Sequence, residues 1–325
     1  MTAPPRALIT GVNGQDGWYL SRLLLADGYQ VFGLMHGRDG MPAADGVIVI
    51  GGDLTQSADV QAAVDYAQPD EVYNLAGISS VALSWQEPIL TADVTGVGLL
   101  RIITAVSASS ERRGRQSRIV QASSAEIFGA AVGAQTEDSP MTPVTPYGAA
   151  KAFAHDLSRV YRGAGVSIST AILYSHESPR RPETFVTRKI TRTVARIARG
   201  ESVQLRLGNL EARRDWGFAG DYAHAMQLIA RYPAADDFIV ASGESHTVAD
   251  FVTAAFRRIG VTDWSAVVDI DPRLQRPVDP LDQRGDPSKI RKKLGWHPSK
   301  NFDELVNEMV DADLQLIDSA SPLPG

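Results

Sequence analysis

The sequence predicts an α/β fold in which a doubly wound parallel sheet continues into a smaller α/β lobe. Short apolar runs alternate with amphipathic helical patterns over the first 174 residues, and such alternation indicates a parallel sheet with helices on both faces. A glycine-rich turn separates the first apolar run, residues 7–10, from the first helical pattern. The 325 residues suffice for one large or two modest domains.

Composition narrows the class of protein. The hydrophobic content of 44% and charged content of 22% are ordinary for a soluble globular chain. A net charge of −6 argues against a nucleic-acid surface. The chain has no cysteine, which excludes disulfides and thiolate metal sites and is compatible with the cytoplasm. No histidine pair has ligand spacing, so no metal is expected.

Targeting segments are not expected either. Residues 1–6 lead straight into an apolar strand, unlike a signal peptide. No uninterrupted apolar run approaches the ~20 residues that cross a bilayer, so we expect no membrane association.

The turn after residues 7–10 carries three glycines whose spacing suits a dinucleotide site. Gly11 permits a tight turn, Gly14 lets the backbone approach a pyrophosphate, and Gly17 lets the next helix pack closely on the strand. The helix that follows offers N–H groups and a positive dipole end to phosphates. The spacing is one residue longer than the usual G-x-G-x-x-G.

Residues after the next strands fit the other parts of a dinucleotide. Arg38 follows the second strand where NAD-binding proteins carry an acidic residue, and a basic residue suits the 2′-phosphate of NADP; a solvated loop charge is the alternative. Asp53 can accept from an adenine amino group, and Leu54 can cover the ring. The strand over residues 71–77 ends in small residues, which leave room for the cofactor beside Leu75 and Ala76.

The predicted fifth strand, residues 118–122, delivers Ser124 and Glu126 to the carboxyl edge of the sheet. Tyr147 and Lys151 are four residues apart and share one helical face. A free tyrosine has a pKa near ~10, and we expect the Lys151 ammonium to lower it. The four side chains therefore predict a proton-transfer site, although an ordinary amphipathic helix is the alternative for the Tyr/Lys pair.

Longer motifs resemble one family. The segments 10–17, 91–98, 146–151, 176–181, 185–190 and 208–217 are similar to those of the GDP-mannose 4,6-dehydratases, which are extended short-chain dehydrogenases/reductases. The resemblance covers about residues 6–316. It implies a Rossmann-type NADP-binding domain from residues 1–174 plus about 215–245. It also implies a nucleotide-sugar-binding domain, the substrate-binding lobe, from about 175–214 plus 246–325.

The resemblance also implies a role for each matching residue. The implied catalytic residues are Ser124, Glu126, Tyr147 and Lys151. The implied cofactor contacts are Gly11, Asn13, Gly14, Gln15, Asp16, Gly17, Arg38, Asp53, Leu54, Leu75, Ala76, Tyr147, Lys151, His176 and Arg181. The implied substrate contacts are Ser175, Val186, Lys189, Arg214, Arg276 and Asp279. Ala125 and Ser175 depart from the residues usual in the family, which has serine and asparagine there.

The implied activity is conversion of GDP-mannose to its 4-keto-6-deoxy form with tightly bound NADP. Tyr147 would take the C4 hydroxyl proton, and Glu126 would serve the loss of water. A GDP-sugar reductase or epimerase on the same scaffold is the enzymatic alternative, and a cofactor-sensing regulator is the non-enzymatic one. Two helices, around residues 91–108 and 147–162, are expected to form the contact of a homodimer, with a homotetramer as the larger possibility.

Overall fold

The computed structural model describes residues 3–37, 41–274 and 278–320. Seven of the described strands form one parallel sheet in the order β3-β2-β1-β4-β5-β7-β12. These strands are β1 (Arg6–Thr10), β2 (Gln30–Met35), β3 (Ile48–Gly51), β4 (Glu71–Asn74), β5 (Arg118–Ser124), β7 (Ile168–Leu173) and β12 (Asp237–Val240). The predicted α/β class and doubly wound parallel sheet are confirmed.

Helices cover both faces of this sheet. They are α1 (Gln15–Ala26), α2 (Ser57–Ala67), α3 (Val81–Gln86), α4 (Pro88–Thr91), α5 (Gly98–Arg113), α6 (Pro146–Gly163) and α8 (Ala219–Arg231). One apolar core joins the sheet to α1 and α8, and a second joins the opposite face to α2, α5 and α6. Apolar side chains on both faces explain why the strands read as nearly continuous apolar runs.

The strand order reverses between β1 and β4, which places a crevice at the carboxyl ends of these two central strands. A buried hydrogen bond joins the two strand ends there, where Thr10 Oγ1 donates to Asn74 Oδ1 at 2.7 Å. The same hydroxyl accepts from the backbone N–H groups of Leu75 and Ala76, each at 3.1 Å. The chain after β4 is thereby tied beside the glycine turn.

One helical stretch of the described chain, Pro88–Arg113, is long and apolar enough to cross a membrane by length and composition. The sequence contains no uninterrupted apolar run of this length, so this helix was not expected from it. Small polar residues interrupt the apolar run in the sequence, yet α4, a π-helical turn (Ala92–Val97) and α5 form one continuous helix. Half of its most apolar stretch is buried inside the protein, with Leu99, Ile102 and Val106 in the core beside α2, as expected for a core helix.

The second lobe has a core of its own, formed by three helices and the strands beside them. Its elements are β8 (Ser175–Glu177), α7 (Val186–Ala198), β9 (Leu205–Leu207), β10 (Arg213–Arg214), β11 (Trp216–Phe218), β13 (His246–Thr247), α9 (Val248–Arg258), β14 (Val268–Ile270), β15 (Asp282–Gly285), α10 (Ser288–Leu294) and α11 (Phe302–Ala320). A short strand, β6 (Ala134–Gln135), pairs with β15.

The chain returns to the first lobe once more than the sequence predicts. The expected return near residue 238 is present as β12, which pairs with β7. In addition, Ile290 and Trp296 are buried in the core of the large sheet, and the Trp296 indole N–H donates to Asp221 O at 2.9 Å. A single tryptophan after a charged helix gave no sign of this packing.

Gly17 permits the close approach of α1 to the glycine turn. A Cβ atom on Gly17 would lie 2.5 Å from Gly11 O and 2.6 Å from Val12 Cα, both backbone atoms. We expect Gly17→Ala to lower the free energy of unfolding by about 1–3 kcal/mol, because the backbone must shift to admit the methyl group.

Gly163→Ala is the matched control for a denaturation measurement. Gly163 ends α6, and a Cβ atom added there would have nothing within 4 Å, so its substitution should be neutral or slightly stabilising. Equal stability of Gly17→Ala and wild type would contradict this account of the turn.

Candidate active site

A cavity of about 750 Å³ crosses the carboxyl edge of the large sheet and continues between the two lobes. This volume lies within the range typical of ligand pockets. It is lined by most of the residues named from the sequence: Gly11, Asn13, Gly14, Gln15, Asp16, Gly17, Asp53, Leu54, Leu75, Ala76, Ser124, Glu126, Tyr147, Lys151, Ser175, His176, Arg181, Val186, Arg214 and Asp279. Lys189 is not among the lining residues, and Arg38 and Arg276 lie outside the described residues.

The glycine turn has the geometry that a pyrophosphate requires. Gly11 adopts a φ of +68°, which favours glycine, and its N–H donates to Leu34 O at 3.0 Å. Gly14 is the N-cap of α1 and has no side chain to cap the helix, so the first-turn N–H groups remain suited to an anion. The residues present therefore fit a dinucleotide cofactor.

The adenosine end of the cavity fits as well. Asp53 Oδ1 accepts from Thr55 N at 2.8 Å, and this backbone hydrogen bond, together with weaker contributions from His36 and Arg101, keeps the pKa of Asp53 below its usual value. The carboxylate is thus an ionised acceptor. His36 follows β2, and its Nδ1 lies 3.7 Å from Asp53 Oδ2, so an imidazole stands beside this carboxylate at the end of the second strand.

Gln15, Asp16 and His176 bind one another across the two lobes. His176 Nε2 lies 2.9 Å from Asp16 Oδ2, and Nδ1 lies 2.7 Å from Tyr174 O. Gln15 Nε2 donates to His176 O at 3.0 Å, and Gln15 Oε1 accepts from Ser178 Oγ at 2.8 Å. These contacts join the first turn of α1 to residues 174–178. Side chains expected to contact the cofactor thus also hold the glycine turn against the second lobe.

The charge of Asp16 follows from this pairing. Burial by itself raises the pKa of Asp16, but the His176 imidazole and its hydrogen bond outweigh burial, so the net pKa is lowered. The imidazole is also stacked on Tyr222, with ring centroids 4.7 Å apart. An ionised Asp16 hydrogen-bonded to His176 therefore lines the cavity.

Ser124 and Tyr147 meet as the sequence predicts. Ser124 ends β5, and its Oγ accepts from Glu126 N at 3.3 Å, which caps a 3₁₀ turn over Ala125–Phe128. Tyr147 lies in the first turn of α6 and is buried. Burial raises the pKa of Tyr147 well above its usual range, and the hydrogen bond with Ser124 opposes that rise.

The expected effect of Lys151 on Tyr147 is not seen, and this part of the prediction is wrong for the structure as described. The Lys151 Nζ lies 5.8 Å from the centroid of the Tyr147 ring and donates to Ala122 O at 2.6 Å. Burial lowers the pKa of Lys151 itself to about 8, with Asp16 acting in the opposite direction. Spacing along the helix predicted a shared face correctly, but it could not predict that desolvation dominates both groups.

Glu126 lies in the 3₁₀ turn and is 8% exposed. Its negative charge contributes to the raised pKa of Tyr147, so the carboxyl group lies close enough to act on the phenol electrostatically. Thr145 Oγ1 contacts Glu126 Oε2 at 3.4 Å. A hydroxyl, a phenol and a carboxyl group therefore share one region of the cavity beside Lys151.

Two cations expected to bind a nucleotide sugar already have partners: Arg214, which lines the cavity, and Lys189, which does not. Arg214 pairs with Asp279 and donates to Pro280 O and Arg213 O, each at 2.8 Å. The Lys189 ammonium donates to Arg206 O at 2.6 Å instead of pointing to the lining. Their contacts to a diphosphate stay predictions, since each would exchange an existing partner.

Glu177 is a lining residue that the sequence did not indicate. It is buried, and its Oε2 accepts from Arg181 Nε and from Thr187 Oγ1, each at 2.7 Å. The carboxylate thereby orients Arg181, whose guanidinium lies 4.6 Å from the Phe185 ring centroid. The spacing of four residues between Glu177 and Arg181 was the only signal, and it is common by chance.

Comparison with known proteins finds the same family by a family model and by individual relatives. The family model described as GDP-mannose 4,6 dehydratase matches residues 8–309. The chain is 43% identical to GDP-mannose 4,6 dehydratase 1 of Arabidopsis thaliana over 325 residues, covering 95% of this chain and 90% of that protein. It is 38% identical to the human GDP-mannose 4,6 dehydratase, covering 96% of this chain and 92% of the human protein.

Among solved structures, the Thermus thermophilus UDP-glucose 4-epimerase in complex with NAD superposes with a TM-score of 0.83. Its sequence is 27% identical, and the match covers 95% of this chain and 98% of that chain.

The buried Lys151 ammonium makes stability depend on pH. Because folding lowers the pKa of this group from 10.5 to about 8, the charged form is disfavoured in the native state. We expect Lys151→Met to raise the free energy of unfolding at pH 7 by up to about 3 kcal/mol. The gain should be full below about pH 8 and vanish above pH 10.5, where the lysine is neutral in both states.

Urea unfolding of both proteins across this pH range measures the effect. Lys292→Met, on the exposed face of α10, is the control and should show no such pH-dependent gain. A Lys151→Met protein less stable than wild type at pH 7 would contradict the assignment of Lys151 as a costly buried charge.

Proposed function

The chain belongs to the GDP-mannose 4,6-dehydratase family, and on that premise we propose that it removes water from GDP-D-mannose to give GDP-4-keto-6-deoxy-D-mannose. It is accordingly a lyase, a nucleotide-sugar hydro-lyase. One observation carries the proposal: Ser124, Glu126, Tyr147 and Lys151 line a single cavity beside the glycine turn. Glu126 is decisive among them, because an elimination needs a second acid/base that a simple redox reaction does not.

Each of the four side chains has its own role in the reaction. A bound nicotinamide dinucleotide would supply the hydride chemistry of the reaction, as the acceptor of the C4 hydride and the donor to C6. Tyr147 takes the proton of the C4 hydroxyl as a phenolate, while Ser124 donates a hydrogen bond to the C4 oxygen. Burial disfavours the phenolate, and the positive charges of Lys151 and of an oxidised nicotinamide would favour it. Lys151, held by Ala122 O, keeps a positive charge beside the phenol below about pH 8.

Glu126 performs the elimination. The C4 ketone acidifies the C5 hydrogen, and Glu126 takes that proton as the C5–H bond breaks. The same carboxyl group then protonates the C6 oxygen, the C6–O bond breaks and water leaves. The proton held by Tyr147 goes to C5 after the hydride reaches C6, so atoms and electrons balance and no reductant is consumed.

The cofactor is a nicotinamide dinucleotide, and we propose NADP as the preferred form. Its support is the sequence after β2, where Arg38 and the lining residue His36 are basic. Gly14 and the first turn of α1 would hold the pyrophosphate, and Asp53 the adenine. The absence of cysteine supports a cytoplasmic location.

We propose that the protein is a homodimer joined by α3, α4, α5 and α6. Several large apolar side chains are exposed along these helices, namely Leu83, Trp85, Ile89, Leu90, Phe153 and Val160. Exposed apolar side chains concentrated on neighbouring helices are typical of a protein–protein interface. A tetramer would need further contacts elsewhere.

The reductase or epimerase alternative keeps Tyr147 and Lys151 but has no use for Glu126 as an acid/base, and the named relatives do not favour it. The two activities differ in cofactor use. Purified protein given GDP-mannose and a trace of NADP⁺ should convert the sugar nucleotide to a product lighter by one water, measured by mass spectrometry. Stoichiometric consumption of NADPH without loss of water would instead support a reductase.

Two substitutions separate the half-reactions. Glu126→Gln should retain oxidation at C4 and lose dehydration, whereas Tyr147→Phe should lose oxidation itself; each loss should be about 10²–10⁴-fold. Absorbance of the reduced nicotinamide in single turnovers reports oxidation, and mass spectrometry reports loss of water. Full dehydration by Glu126→Gln would reject its role, as would full oxidation by Tyr147→Phe.

A further inference from the structure

Thr145 connects the two halves of the catalytic machinery. It is the N-cap residue of α6, the helix that carries Tyr147 and Lys151, and it is 4% exposed. Its Oγ1 accepts from Gly148 N at 2.9 Å and lies 3.4 Å from Glu126 Oε2. A threonine hydroxyl has one proton and two lone pairs, so it can cap the helix and donate to the carboxylate at the same time.

The backbone holds these groups in place. A Cβ atom on Gly148 would lie 2.5 Å from Glu126 O, so the first turn of α6 rests directly on the 3₁₀ turn that carries Glu126. Ala149 N also donates to Thr145 O at 2.9 Å. The distance between the Thr145 hydroxyl and the Glu126 carboxyl group is therefore set by packed backbone and not by a flexible loop.

The residue next to Glu126 supplies no such donor. Ala125, which lines the cavity next to Glu126, has no polar side-chain atom. Thr145 does not appear among the described lining residues, so it reaches Glu126 from behind the cavity wall. It can orient the carboxyl group without occupying space that the sugar needs.

We propose that Thr145 is a positioning residue for the elimination step: its hydroxyl holds Glu126 Oε2 so that Oε1 carries the proton from C5 to the C6 oxygen. This role rests on the proposed dehydratase function. It predicts that loss of the hydroxyl slows elimination and leaves oxidation at C4 nearly unchanged. A residue that only capped the helix would affect both steps alike, since α6 also carries Tyr147 and Lys151.

Thr145→Val tests the proposal, because valine has the shape of threonine and lacks the hydroxyl. Single turnovers use the protein loaded with NADP⁺ and GDP-mannose in D₂O. Absorbance of the reduced nicotinamide measures oxidation, and mass spectrometry measures deuterium at C5 and loss of water. We expect elimination to fall about 10-fold or more, part of the ~10²–10⁴-fold contribution of a general acid/base, with reduced nicotinamide accumulating.

Further variants separate positioning from helix capping. Thr145→Ser retains the hydroxyl and should restore elimination. Thr145→Gly removes the hydroxyl at small cost in stability, because glycine is acceptable at an N-cap. It should slow elimination as Thr145→Val does, and it replaces the valine variant if that variant folds poorly. Thr247→Val is the matched control: Thr247 caps α9 by accepting from Asp250 N at 2.9 Å, so its loss should lower stability without changing the balance of the two steps.

The outcomes distinguish this role from the proposed function. If the wild-type protein releases no water from GDP-mannose, the dehydratase function is contradicted. The role of Thr145 is then contradicted as well, because it rests on that function. If wild type is active, the variants Thr145→Val and Thr145→Gly decide the role of Thr145. Equal slowing of oxidation and elimination in both variants, or slowing of neither step, would contradict that role and leave the dehydratase function standing.

Discussion

The contact between the start of α6 and the end of β5 is the constraint on which the site depends. Gly148 lies against the Glu126 carbonyl so closely that no side chain fits between them. This contact brings a phenol from a helix and a carboxyl group from a strand end into one cavity, although they are 21 positions apart in the chain.

A second constraint joins the lobes. Asp16 and His176, separated by 160 positions, form a partly buried hydrogen bond, and Gln15 hydrogen-bonds to residues 176 and 178. The glycine turn that would hold a pyrophosphate is thus fixed to the segment that introduces Arg181 and Glu177.

The local features of the fold could be predicted from the sequence because they depend on neighbours in the chain. Gly11 and Gly17 stand where the backbone leaves no room for a Cβ or adopts a left-handed φ, and Tyr147 and Lys151 share a helical face. Features set by long-range packing could not be predicted. The burial of Trp296 in the first core, the pairing of Arg214 with Asp279 and the contact of Lys189 with Arg206 O each depend on segments distant in sequence.

The pKa values of the site residues were the property that the sequence predicted least well. A lysine near a tyrosine was expected to lower the pKa of the phenol, yet burial raises the pKa of Tyr147 and lowers that of Lys151. Desolvation depends on everything that surrounds a group, so helical spacing alone cannot give its magnitude or decide which effect dominates. Glu177 and Thr145 illustrate the same limit, since their importance lies in the side chains that they orient.

The convergence of Tyr147 and Glu126 on one sugar ring is tested most directly by following a single hydrogen atom. An equal mixture of GDP-mannose deuterated at C4 and carbon-13-labelled GDP-mannose with hydrogen at C4 is converted with a trace of cofactor, and the products are analysed by mass spectrometry and NMR. The account predicts that deuterium appears at C6 of molecules without carbon-13. Deuterium in the carbon-13 product, or its loss to solvent or to the cofactor pool, would contradict it.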